Sequence, residues 1–92
     1  MIKTFRDRRT AAVWAGVQPK GVGPALAKQA RKTLVRLDAA RTLHDLRGTG
    51  LKLEALREDR AGQHGIRVSG QFRICFVWRD GDAYDAELVD YH

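Results

Sequence analysis

The sequence predicts an α+β domain in which two to three N-terminal helices pack on one face of a small, mainly antiparallel β-sheet. Three observations lead there. The last third of the chain, from Arg60 to His92, holds three apolar runs rich in Ile, Val, Phe, Trp and Tyr, separated by two short turn-forming stretches, the pattern of a meander. The second of those turns contains Asp80-Gly81, a strong short-range hairpin signal. Upstream, Leu26, Ala30, Leu34 and Leu37 recur at the spacing of an amphipathic helix,.

Taken in order, Met1 to Phe5 can form a short strand recruited to the edge of the later sheet. Asp7 to Ala15 reads as a short helix ending at Gly16, with Trp14 as a packing anchor,. Gln18 to Gly23 is a loop, containing Pro19, Gly21 and Gly23,. Pro24 opens the longer helix, because its missing N–H would have no partner in the first turn. That helix runs to about Ala40, and its other face carries Lys28, Arg31, Lys32 and Arg36 with no acid before Asp38. This basic face suits contact with nucleic acid or with a protein partner. Thr42-Leu43-His44-Asp45 has the form of a capping box and predicts a further turn of helix to Arg47,. Leu51 to Leu56 alternates apolar with polar and predicts the first full strand of the sheet, with Arg57 to Arg60 as a charged connection,.

In the meander, Ser69-Gly70-Gln71 predicts a tight first turn with Gly70 at positive φ. Period-two alternation puts Ile66, Val68, Phe72, Ile74, Phe76 and Trp78 on one face, and Arg67, Arg73, Cys75 and Val77 on the other. Arg73 must diverge from Phe72, so a rigid sheet presents its guanidinium, and groups on strands hold their geometry better than groups on loops. The sequence closes with Asp90-Tyr91-His92, which places a carboxylate, a phenol and an imidazole together.

The chain has 92 residues, enough for one domain over 1–92 with a modest core and no disulfides,. No run reaches the roughly 20 apolar residues of a membrane span, and the N-terminus lacks the apolar core of a signal peptide. A cytoplasmic location without membrane contact is therefore expected. The single Cys75 cannot form an intramolecular disulfide and reads as a buried, inert residue,. Residues 1–60 carry 14 basic against 6 acidic side chains, and residues 61–92 carry 3 against 5. A small domain with a pI near 10.1 calls for a polyanionic partner, most often nucleic acid.

Cleaving RNA by acid/base chemistry alone requires a group to take the 2′-hydroxyl proton, cations to stabilise the phosphorane, and an acid for the 5′-oxygen. Asp90, Tyr91 and His92 are the candidate proton-transfer groups. Arg73 is the candidate catalytic cation, and Arg57, Arg60, Arg67 and Lys52 are candidate phosphate-binding residues, since guanidinium matches phosphate oxygens in a bidentate fork. No metal or cofactor is called for. The bland reading is that the strand arginines pair with Asp85 or Glu87.

Leu53-Glu54-Ala55-Leu56, Asp59-Arg60-Ala61-Gly62-Gln63-His64, Ile66-Arg67-Val68, Phe72-Arg73-Ile74-Cys75-Phe76, Gly81-Asp82-Ala83 and Val89-Asp90-Tyr91-His92 together resemble the HigB-type toxins of the RelE/ParE superfamily. Met1-Ile2-Lys3-Thr4-Phe5 and Leu37-Asp38-Ala39-Ala40 extend the likeness over essentially the whole chain. The resemblance implies the RelE-like fold and a toxin of a type II toxin–antitoxin module. It further implies a ribosome-dependent endoribonuclease, an mRNA interferase that cuts mRNA in the ribosomal A site and leaves a 2′,3′-cyclic phosphate and a 5′-hydroxyl. The implied partners are a HigA-type helix-turn-helix antitoxin, the ribosome with its mRNA, and operator DNA only through the antitoxin. Arg73 matches the family's active-site arginine, and Asp90, Tyr91 and His92 match its functional C-terminus. Arg57 stands where many members have lysine, Glu54 where some have a functional histidine, and His64-Gly65 where others have an aromatic-Ser pair. A base from the Glu54 strand is thus a carboxylate or is absent. The alternative is a non-catalytic poison of DNA gyrase resembling the ParE branch, which the terminal trio and Arg73 disfavour.

Overall fold

The computed structural model describes residues 1–48 and 50–90. Its elements in chain order are α1 (Arg8–Trp14), α2 (Pro24–Ala39), a 3-10 turn (Leu43–Leu46), β1 (Glu54–Ala55), a second 3-10 turn (Glu58–Arg60), β2 (His64–Arg67), β3 (Phe72–Arg79) and β4 (Asp82–Asp90). The four strands form one antiparallel sheet in sequence order. Both helices lie on one of its faces, as the patterning predicts. No helix among the described residues is long and apolar enough to cross a membrane.

The predicted alternation sorts the sheet correctly. Ile66, Ile74 and Phe76 are buried with Leu34 and Leu37 of α2 and Val13 of α1, while Val68, Phe72 and Trp78 pack at the margin of that core. Asp7 caps α1 by accepting the Thr10 N–H at 2.7 Å,. The capping box at Thr42 and Asp45 forms in both directions, although the turn it starts is 3-10 in geometry,. Asp45 accepts the backbone N–H groups of Arg41 and Thr42, which hold its carboxyl below the usual value,. Between β3 and β4, Asp80 and Gly81 both take positive φ, 52° and 82°, which is the two-residue turn that matches the twist of a hairpin.

Three expectations are corrected. Gly70 does not take positive φ: the β2–β3 connection spans Val68 to Gln71, and both the Val68 and Ser69 N–H groups donate to the Phe72 carbonyl, so the added length turns the chain without a left-handed residue. The strand expected over Leu51 to Leu56 is reduced to Glu54–Ala55. Lys52 at φ 50° interrupts it, leaving the Leu51 carbonyl to accept the Arg67 N–H. The N-terminal strand is replaced by two isolated parallel bridges to β4, Ile2 with Ala83 and Phe5 with Ala86. Beyond the stretch whose facing the sequence assigned, β4 departs from strict alternation. Cys75 lies opposite Glu87 and Val77 opposite Tyr84, so two residues of β4 face one of β3, a β-bulge with Asp85 at φ 55°,. The Thr4 hydroxyl accepts the Asp85 N–H at 2.8 Å and holds the bulge. Ala83, Ala86 and Leu88 consequently share the core face, and Glu87 is delivered to the other one.

The outer edge of β4 is closed by α1 as well as by the N-terminus. The buried Thr10 hydroxyl accepts the Leu88 N–H at 2.9 Å, and Arg9 donates to the Leu88 carbonyl at 2.6 Å. Thr10→Val keeps the shape but strands a buried N–H, which costs about 1–3 kcal/mol. The expected result is a lower urea midpoint at unchanged m-value; an unshifted midpoint would show that water reaches this edge.

Candidate active site

The face of the sheet turned away from the helices carries the charged groups. β2 and β3 place Arg67 directly opposite Arg73, and Gly65 opposite Cys75. Two guanidinium side chains are thereby rooted about 5 Å apart, and like charges in that relation oppose one another. Glu54 of β1 offsets this by accepting a hydrogen bond from the Arg73 guanidinium in an ion pair. On the other flank Glu87, brought round by the bulge, accepts from Arg60 at 3.0 Å and lies 3.7 Å from Arg6. Arg60 also donates to Gln63 at 3.0 Å. Arg67 forms no ion pair among the described residues.

Cys75 sits in the middle of this arrangement. Burial pushes its thiol above the ordinary value, and the fields of Arg60, Glu87, Arg73 and Glu54 act on it in opposing senses,. The segment after β1 folds over this face: Leu56 is buried, with its methyl groups against Gly65. A Cβ at position 65 would stand 3.4 Å from a Leu56 methyl carbon, in ordinary van der Waals contact. Cys75 is therefore expected to resist alkylation in the native protein at neutral pH and to react fully in denaturant. Rapid native labelling, followed by mass spectrometry, would contradict this burial.

The candidate residues do not all converge. Arg60, Arg67 and Arg73 share the open face. Arg57 is exposed at the start of the second 3-10 turn, and Lys52 is exposed on the irregular stretch before β1, not on a strand. Asp90 pairs across the ladder with Phe72, so its side chain starts from the helix-covered side, where it accepts from Gln71 Nε2 at 3.1 Å. Tyr91 and His92 lie outside the described residues. The bland reading, that the strand arginines pair with Asp85 or Glu87, does not hold among the described residues: Glu87 pairs with Arg60 and Arg6, which lie outside the strands, no ion pair to an arginine forms at Asp85, and the strand residue Arg73 is paired with Glu54. Sequence reasoning did not place Glu87 or Gln71 in the site. An Asp in the middle of a strand, where a bulge forms readily, was the available signal for Glu87. His64 faces the core, stacked on Phe76 at 6.2 Å, and is not part of the open face.

Comparison with known proteins agrees with this architecture. Residues 3–92 match the family described as the RelE-like toxin of type II toxin–antitoxin system HigB. A protein of Proteus vulgaris, Endoribonuclease HigB, is 30% identical over 92 residues, with both chains covered completely. The solved YoeB-YefM complex from Staphylococcus aureus contains a chain of the same fold, with a TM-score of 0.58 at 17% identity over 100% of this chain and 98% of that one. A small α+β domain with an arginine-bearing open sheet face is the class these observations define. The chain belongs to the HigB-like family of RelE-like toxins.

Proposed function

We propose that this toxin is an endoribonuclease that cleaves mRNA by acid/base catalysis without a metal, and that the open sheet face is its active site. The observation that carries the reading is the pair Arg67 and Arg73, rooted side by side on a rigid sheet with the Glu54 carboxylate on one of them. Such a pair suits a phosphate gaining charge. Family membership supports RNA as the substrate, since the Proteus relative is named an endoribonuclease.

In the proposed reaction the 2′-oxygen attacks the adjacent phosphorus and gives its proton to a base. The bond from phosphorus to the 5′-oxygen breaks, and that oxygen receives a proton from an acid. The products are a 2′,3′-cyclic phosphate and a 5′-hydroxyl end. Arg73 and Arg67 stabilise the phosphorane. The incoming phosphate competes with Glu54 for Arg73, which frees a carboxylate next to the reacting centre. Tyr91 and His92 supply proton transfer, as the family resemblance implies, and Asp90, tied to Gln71, positions the end of β4. Arg60, held by Glu87, contributes positive field, while Arg57 and Lys52 meet flanking phosphates.

As a type II toxin the chain has an antitoxin partner. The proposal adds that the antitoxin is a HigA-type helix-turn-helix protein through which the complex reaches operator DNA. It also places cleavage in the ribosomal A site, in the cytoplasm. The test is controlled expression in bacteria followed by mapping of 5′-hydroxyl RNA ends. New ends confined to translated frames, and suppressed when initiation is blocked, are expected. Growth arrest with DNA-damage signalling and no new ends would overturn the nuclease reading in favour of a gyrase poison.

A further inference from the structure

We infer that the cleft between α2 and β2 is a second phosphate subsite, which takes the RNA backbone next to the cleavage step; this inference rests on the reading of the open face given above. The cleft has a volume of about 350 Å³, and its charged lining residues are Lys32, Arg36 and Arg67, with no carboxylate among them. Lys32 and Arg36 are one helical turn apart on α2, so they stand on the same side of the helix and present two cations to the cleft,. Gln29, a turn earlier, adds an amide that can donate to a phosphate oxygen, and Leu51 and Val68 give an apolar floor against which a ribose or base can rest,.

Continuity with the open face comes from Arg67. It lines the cleft and also stands opposite Arg73 in the ladder. The passage between the two exists because β1 is short. It pairs only with His64 and Gly65, and among the described residues no strand covers the flank of β2 beyond Ile66, where the Leu51 carbonyl accepts the Arg67 N–H. Arg73, Arg67 and the Lys32–Arg36 pair therefore form a track of cations around an open sheet edge. Single-stranded RNA fits such a track, because its successive phosphates present the repeated charge that a basic groove follows.

The test uses the full chain and two single-stranded RNAs, a trinucleotide and a nonanucleotide, each carrying a 2′-O-methyl group at the cleavage step so that the nucleophile is blocked. Wild type binds the longer RNA more tightly, and the K32A/R36A double variant loses that increment while keeping its affinity for the trinucleotide. Its salt slope with the nonanucleotide falls by about two, one for each cation lost. The charge-preserving K32R/R36K variant restores the increment. An increment that survives in K32A/R36A, or that is absent from wild type, overturns the subsite. So does a double variant whose only defect is weaker capture of its antitoxin, which would assign the cleft to an acidic protein segment. Arg73→Ala weakens binding of both RNAs; if it changes neither, the reading of the open face itself fails, separately from the cleft.

Discussion

Arg73→Ala is expected to lower RNA cleavage about 10²–10³-fold, the usual cost of removing one preorganised donor to a transition-state oxyanion. The group lost is a guanidinium on the second residue of an eight-residue strand, placed opposite Arg67 and hydrogen-bonded to Glu54. Arg73→Lys should recover only part of the rate, since an ammonium restores charge but not the two parallel donors of the fork. In cells the 5′-hydroxyl ends made by wild type should vanish in Arg73→Ala, with antitoxin capture unchanged as the control for folding. Cleavage within a few-fold of wild type would remove Arg73 from the reaction. The charge balance around Cys75 adds a check: Glu54→Gln removes the carboxylate proposed to be freed by the substrate, so it should bind RNA more tightly yet cleave it more slowly.

The largest stability effect is expected at Phe76. Its side chain is fully buried, stacked on His64 and in edge contact with Trp78 at 6.3 Å. Phe76→Ala should cost about 3–5 kcal/mol through lost transfer energy and the cavity left behind. A small domain has only about 5–15 kcal/mol of stability, so at the lower end of that range this one change would remove most of the margin. Phe76→Leu, which keeps most of the volume, should cost far less. Denaturant titration of the two variants decides the matter; equal and small losses would mean that the site collapses around the missing ring.

Phe76 is on the core face and its neighbour Cys75 on the open face, so a core variant loosens the strand that holds Arg73. Activity measurements on Phe76→Ala should accordingly be normalised to the folded fraction.

Sequence alone determined the elements whose signals are local. The amphipathic stripe from Leu26 to Leu37, the Pro24 start, the Thr42 cap and the Asp80-Gly81 turn all formed, because each depends on a few neighbouring residues and their backbone preferences,. Alternation also separated Arg73 and Cys75 from Ile74 and Phe76, since a strand's side chains must diverge. Tertiary structure decided what depends on partners distant in sequence. The bulge at Asp85 is held by Thr4, 81 residues away, and it carries Glu87 to the open face, which an unbroken period of two would not do. The interruption of β1 at Lys52 leaves the Leu51 carbonyl to meet the N–H of Arg67, a partner distant in the chain. The pairing of Arg73 with Glu54, and the facing of Asp90 toward Gln71, follow from the register of the ladders. Residue types announced the chemistry, while the choice of which charges meet was made by long-range packing, where a one-residue shift moves a side chain to the opposite face.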